Sequence, residues 1–156
     1  MATSPLVVSN PITNPLNTNL NPSLKINFLL WNIRGITDYH RFGKIQNWAK
    51  SLNTDFCGLT ETHLDDSKHN KIFKRCKYKN EVSHYNTASR GCLLLNLTHN
   101  WSHHNTKKDT EGRVISVVVK LDTITLVIIT TYAPNTQKEQ LEFCEELKSL
   151  LNWLVE

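Results

Sequence analysis

Between Arg113 and Tyr132 the chain runs as two stretches rich in Val, Ile and Thr, Arg113–Leu121 and Ile124–Tyr132. Only Asp122-Thr123 separates them. β-Branched side chains are stiff at χ1 and pack well on a pleated surface. Two such runs joined by two residues form an antiparallel hairpin. The hairpin constrains everything else, because a two-stranded ribbon is marginal alone and needs further strands or helices on one face.

The chain upstream supplies them. Lys25–Trp31 (KINFLLW) reads as a buried strand. Thr37 or Asp38 caps a predicted helix that ends near Leu52, with Phe42, Ile45, Trp48, Ala49 and Leu52 on one face. Asp55–Thr60 (DFCGLT) is a short apolar strand. Asp65 or Asp66 caps a short helix over Lys68–Cys76. A weaker strand near Asn80–Tyr85 and another over Cys92–Leu97 (CLLLNL) precede the hairpin. After it, Thr136 and Glu139 form a T-x-x-E capping box. They open a helix over Gln137–Leu154 whose apolar stripe is Leu141, Cys144, Leu147, Leu151 and Leu154. Strand–helix–strand followed by an antiparallel hairpin predicts a mixed sheet covered by helices, an α/β (α+β) chain. Two parallel strands joined through one helix cross over right-handedly. Asn32 and Glu61, at their C-terminal ends, then share one rim, the rim where such sheets bind ligands.

At 156 residues the chain is one domain's worth. Residues 1–24 are rich in Asn, Pro, Ser and Thr and hold four of the five prolines, so they are expected to form a disordered tail ahead of a domain over residues 25–156. That tail carries no charge, and residues 136–156 hold two Lys and five Glu. The body over residues 25–135 therefore has 16 basic against 9 acidic side chains. Such an excess suits a polyanion, with nucleic acid the commonest, or is a basic surface with no specific partner. Cys57, Cys76, Cys92 and Cys144 show no C-x-x-C spacing, and Cys57 and Cys92 lie in apolar runs. Reduced thiols in an intracellular protein, with the nucleus one compartment open to it, are expected. No apolar run reaches membrane-spanning length, and the N-terminus has no basic region of a signal peptide.

Three strings carry the chemistry: Trp31-Asn32, Glu61-Thr62-His63 and Tyr132-Ala133-Pro134-Asn135. Each ends an apolar run, where a strand hands polar residues to the rim. A carboxylate at Glu61 must be solvated, paired or bound to a cation. Mg²⁺ takes oxygen ligands, often one or two carboxylates with water and phosphate. Asn32 is placed to orient that carboxylate or a phosphate, and Tyr132 and Asn135 offer donors to phosphate oxygens. Each also has an ordinary alternative: Asn32 capping a turn, Glu61 paired with a lysine, Tyr132 half-buried in the core.

Taken in order, the strings resemble the endonuclease/exonuclease/phosphatase superfamily, and within it the apurinic/apyrimidinic-like endonuclease domain of LINE-type (non-LTR) retrotransposons. The resemblance rests on Ile26–Gly35 (INFLLWNIRG), Asp55–His63 (DFCGLTETH), Gly91–Leu95 (GCLLL), Glu111–Val118 (EGRVISVV) and Ile128–Asn135 (IITTYAPN), and covers about residues 25–152. It implies a four-layer α/β sandwich and a phosphodiesterase that nicks DNA with Mg²⁺ or Mn²⁺. By the same resemblance Glu61 and Asn32 serve the metal, Tyr132 and Asn135 contact the phosphate, and Gly91 and Gly112 are backbone glycines. Arg34 stands where base-excision members have an acidic residue, which favours the retrotransposon branch.

The family's later motifs, G-D-F-N and S-D-H, have no counterpart here. Every Asp lies at or before Asp122 and every His at or before His104. The expectation is therefore about the first half of the fold, inactive alone, with the inner face of Val114–Thr131 exposed and prone to self-association. The alternatives are a nucleic-acid-binding module without catalysis, or a remnant of a branch acting on lipid or inositol phosphates. Arg34, Lys71, Lys74, Arg75 and Lys77 are the candidate DNA contacts, the lysines and Arg75 belonging to a basic run interleaved with Phe73 and Tyr78. His99, His103 and His104 have no carboxylate or Cys at ligand spacing beside them.

Overall fold

The computed structural model describes residues 6–11 and 25–152. Along the chain run β1 (Leu6–Pro11), β2 (Lys25–Asn32), α1 (Tyr39–Ser51), β3 (Phe56–Thr60), α2 (Asp66–Phe73), β4 (Lys79–Ser83), β5 (Cys92–Asn96), β6 (Ser102–Lys108), β7 (Val114–Leu121), β8 (Ile124–Thr131) and α3 (Gln137–Asn152). The strands form two sheets, ordered β1-β2-β3-β5-β4 and β6-β7-β8. Among the described strands only β2 and β3 pair parallel, with Asn32 opposite Thr60, so Asn32 and Glu61 do reach one rim. β7 and β8 form the expected hairpin, with Leu121 opposite Ile124.

Two cores separate along the alternation of the first sheet. Leu29, Cys57, Leu59, Leu93 and Leu95 face the helices and bury Phe42, Ile45 and Ala49 of α1 with Ile72 and Phe73 of α2. Ile26, Phe56, Cys92 and Leu94 face the other way, against Ile115, Val117, Val119 and Ile128 of the second sheet. Both helices start where expected. Asp38 Oδ1 accepts from Arg41 N at 2.9 Å and Asp65 Oδ1 from Lys68 N at 2.7 Å. Each satisfies an amide that the first turn leaves unpaired. Cys57 and Cys92 are buried free thiols, and burial pushes the Cys57 thiol up to about 12.

Four expectations are corrected. Leu6–Pro11, read as part of a disordered tail, forms β1 and pairs antiparallel with β2, Leu6 opposite Leu30. A free sheet edge supplies backbone partners that sequence composition does not reveal. The remainder of that tail, and Leu154, lie outside the described residues. Ser102–Lys108, read as loop and weak strand, is β6, pairing with β7. The inner face of the hairpin is not exposed: Ile115, Val117 and Val119 are fully buried. Three strands of the second sheet lie within this chain and close on the first. Finally, the α3 stripe does not enter a core. Leu141 is 68% exposed and Leu151 47%, while Phe143 is the buried α3 residue.

Candidate active site

The rim is built by continuing the β2–β3 pairing past the strands. Ile33 N donates to Thr60 O at 3.1 Å, Gly35 N to Glu61 O at 2.6 Å and Ile36 N to Thr62 O at 2.8 Å. On the other side Thr62 N and His63 N each donate at 3.0 Å, to Gly91 O and Arg90 O. The Glu61 loop is thus held between two neighbours as if it were still a strand. Its backbone is not a strand's: Glu61 and His63 both have φ of 53°, and Arg34 has φ of 50°. Left-handed geometry is disfavoured for these residues by about 1–2 kcal/mol each, and it concentrates at functional sites. Arg41 fixes the facing loop from α1, donating Nε to Gly35 O at 2.8 Å and Nη2 to Ile33 O at 2.7 Å.

Gly91 makes this packing feasible. Its φ is +93°, and a Cβ there would lie 2.3 Å from Thr62 Oγ1. The second sheet delivers Tyr132. Asp109 accepts from Arg113 N and Val114 N at 3.0–3.1 Å and from Ser83 Oγ at 2.6 Å, shaping the turn into β7. Tyr132 N then donates to Arg113 O at 2.8 Å.

These elements bring the predicted residues together. The Tyr132 hydroxyl donates to Glu61 Oε1 at 2.8 Å across a separation of 71 residues. His63 Nε2 lies 4.0 Å from Glu61 Oε2. Asn32 Oδ1 accepts from Arg34 N at 3.3 Å. Partial burial pushes the Glu61 carboxyl up. Hydrogen bonds from Asn32 and Tyr132, with the positive charge of His63 and Arg34, outweigh it and hold the group below the ordinary carboxylate range. Burial, the hydrogen bond to Glu61 and its charge raise the Tyr132 phenol, while Asn135 and Arg113 pull it back. Asn135 is exposed beside this pair. At neutral pH the site is an ionised carboxylate facing a neutral phenol.

Among the described residues no group of three or more His, Cys, Asp or Glu is arranged around a metal position. The donors at the rim, a carboxylate and an amide oxygen, are hard oxygens that fit Mg²⁺ or Mn²⁺ completed by water and phosphate. The candidate DNA contacts divide. Arg34 stands at the rim. Lys71, Lys74, Arg75 and Lys77 are exposed along and beyond α2. They lead to Lys79, which lies opposite Asn96, and Asn96 in turn lies opposite Phe56 at the far end of β3. The run therefore heads about 13 Å away from Glu61, the length of β3. His103 lies 3.8 Å from Glu81, and the His99 ring stacks on Tyr78.

One rim feature was not read from the sequence. Arg90 pairs with Glu111 at 2.5 Å and lies 3.9 Å from Glu139, while Arg113 lies 3.7 Å from the same Glu139. This network ties the start of α3 to the loops beside Tyr132. Charged residues at separations of 21 and more leave no local signal of such pairing.

No protein-family model matches the sequence, and no curated protein matches it. Solved structures do. Zebrafish (D. rerio) TDP2 complexed with a single-strand DNA product superposes with a TM-score of 0.59 at 15% identity, over 84% of this chain and 55% of that one. The human nocturnin catalytic domain with bound sulfate gives 0.58 at 17% identity, over 81% and 58%. An AP endonuclease from Archaeoglobus fulgidus gives 0.57 at 19% identity, over 78% and 49%. The fold is that of the endonuclease/exonuclease/phosphatase proteins. The chain spans about half the length of the structures it matches.

Proposed function

We propose that this chain is the N-terminal half of a metal-dependent DNA phosphodiesterase of the retrotransposon type, carrying one side of the scissile-phosphate site. The observation that carries this reading is the Tyr132–Glu61 hydrogen bond at 2.8 Å, which joins the two sheets at the rim where β2 and β3 end. Glu61 and Asn32 hold a Mg²⁺ or Mn²⁺ ion, which supplies Lewis-acid stabilisation of phosphate charge when bound. With an ion on Glu61 the Tyr132 hydroxyl is freed from that carboxylate to donate to a phosphate oxygen, Asn135 donates to another, and Arg34 adds positive charge to the approach. The basic run over Lys71, Lys74, Arg75 and Lys77 tracks the DNA backbone toward the far rim. Arg34 and the Glu61-Thr62-His63 string support the retrotransposon branch through the resemblance above.

Phosphodiester hydrolysis also needs an activated, in-line water. No Asp follows Asp122 and no His follows His104, so the later motifs of the family are not among these residues. Groups that act as a unit lose orders of magnitude when members are missing. The 156 residues alone are expected to bind metal and DNA, to leave supercoiled plasmid uncut in Mg²⁺, and to self-associate. Calorimetric titration with Mn²⁺ should show binding that Glu61→Gln weakens about tenfold or more. Unchanged affinity in that variant would remove the metal from Glu61. Plasmid nicking by the chain that disappears in Glu61→Ala would overturn the inactivity.

A further inference from the structure

A second cluster of metal-ligating side chains lies away from the rim, between α2 and the end of β4. Asp66 and His69 stand three residues apart on α2 and share one helix face. His84 directly follows β4 and meets both. The His69 and His84 ring centroids are 5.0 Å apart, with the planes at 57°. His84 Nε2 lies 3.4 Å from Asp66 Oδ1.

The neighbours fix how these groups are protonated. The Asn80 amide nitrogen donates to Tyr78 O at 3.1 Å, which turns Asn80 Oδ1 toward His69 Nε2 at 3.0 Å. His69 therefore carries its proton on Nε2 and keeps a lone pair on Nδ1. Metal-ligating histidines have this arrangement, the second ring nitrogen donating to a fixed acceptor. Burial and the neighbouring His69 hold the His84 imidazole below its ordinary pKa, against the pull of Asp66 and the Leu64 backbone. The ring is thus neutral at neutral pH, the form that binds metals. An ion pair with Asp66 would need it charged. The buried His84 Nδ1 has no hydrogen-bond partner among the described residues.

We infer that Asp66, His69 and His84 form a site for a borderline divalent ion such as Zn²⁺, with two imidazoles, one carboxylate and a water as ligands. Two ligands each about 2.0–2.1 Å from a tetrahedral ion lie about 3.4 Å from one another, and two imidazoles so bound have centroids about 5 Å apart. Those are the separations found here. The side chains stand close without yet closing on one point. Closure takes a rotation of Asp66, whose side chain is 91% exposed, and a shift of the two rings. Lys108 adds opposing charge, with its ammonium held on Val82 O at 3.1 Å, so affinity is expected on the order of micromolar. The donors set this site apart from the rim: imidazole suits zinc, copper or nickel, whereas the oxygens of Glu61 and Asn32 suit Mg²⁺ or Mn²⁺. The inference does not rest on the phosphodiesterase reading. A bound ion clasps the first turn of α2 to the segment after β4, and it should raise the melting temperature.

The test is calorimetric titration of Zn²⁺ into the whole chain in excess Mg²⁺, which occupies oxygen sites. A Cys76→Ser/Cys144→Ser background removes the two thiols that are not buried. One ion per chain is expected. Asp66→Ala, His69→Gln and His84→Asn should each weaken binding about tenfold or more, and Glu61→Gln should leave it unchanged. Circular dichroism verifies folding, and Asp66→Ala, at an exposed position, decides the matter if a histidine variant does not fold. Co²⁺ in place of Zn²⁺ should give the visible absorption of a tetrahedral site without a thiolate charge-transfer band. No binding in excess Mg²⁺, or binding that folded variants of the three residues leave unchanged, overturns the site. Binding lost in Glu61→Gln instead puts the ion at the rim, which overturns this site and leaves the rim reading standing. Failure of Mn²⁺ to bind at Glu61 removes the rim metal and leaves this site untouched.

Discussion

Glu61 does two things that oppose each other. Its side chain is held as a carboxylate by Asn32 and Tyr132, while its backbone sits in left-handed geometry that glycine adopts without penalty. Glu61→Gly should therefore be more stable than Glu61→Ala by about 1 kcal/mol in urea unfolding, though both should abolish the metal binding proposed for Glu61. An equal or lower midpoint for the glycine variant would show that the φ of 53° carries no strain. The ionisation has its own signature. A carboxyl whose folded pKa is depressed contributes stability that is present above the unfolded value, about 4.3, and lost as pH falls through the folded value. The stability difference between the wild type and Glu61→Gln should shrink as pH is lowered from about 6 to about 3. Tyr132 runs the other way: its raised pKa contributes stability below about pH 10 that fades above it. The rim identities were legible because Asn32, Glu61 and Tyr132 each end an apolar run. The left-handed turn was not, since nothing local in Glu61-Thr62-His63 asks for it.

At the scale of elements, the Glu61 loop depends on β5 as much as on β3. Gly91→Ala should destabilise the fold by about 2 kcal/mol or more, from the positive φ and the approach to Thr62 Oγ1 together. Gly91→Ala/Thr62→Ala should recover part of that loss in a urea melt, leaving the backbone share. Full recovery would mean that the clash alone is responsible. β2, α1, β3, α2, β4, β5, the two hairpin strands and α3 were readable from apolar runs and caps, because Asp38, Asp65 and Thr136 act on their own helices. β1 and the packing of α3 were not. β1 depends on a partner strand remote in sequence. The α3 stripe has helical spacing yet is held by Phe143 and the Glu139 ion pairs, with its leucines facing outward.

For the whole molecule, the basic run and the carboxylate rim stand at opposite ends of β3, so DNA binding and metal binding should separate. Replacing Lys74, Arg75 and Lys77 by alanine should lower the slope of log affinity against log salt by about two to three for duplex DNA. It should leave Mn²⁺ affinity at Glu61 unchanged. A slope that does not move would take the run out of the DNA path. The solved structures that share the fold extend to about twice the aligned length. Among the described residues the second sheet is the narrower, with three strands against five.

The sequence by itself determined six of the eight described strands, the helix caps, the parallel crossover and which polar residues reach the rim. Those follow from side-chain periodicity and from groups within a few residues of one another. Only the tertiary structure decided that the hairpin face is buried, that β1 adds a strand to the first sheet, and that Tyr132 meets Glu61. Each of those depends on backbone or side-chain partners far apart in the chain, and nothing in the local pattern encodes such pairings.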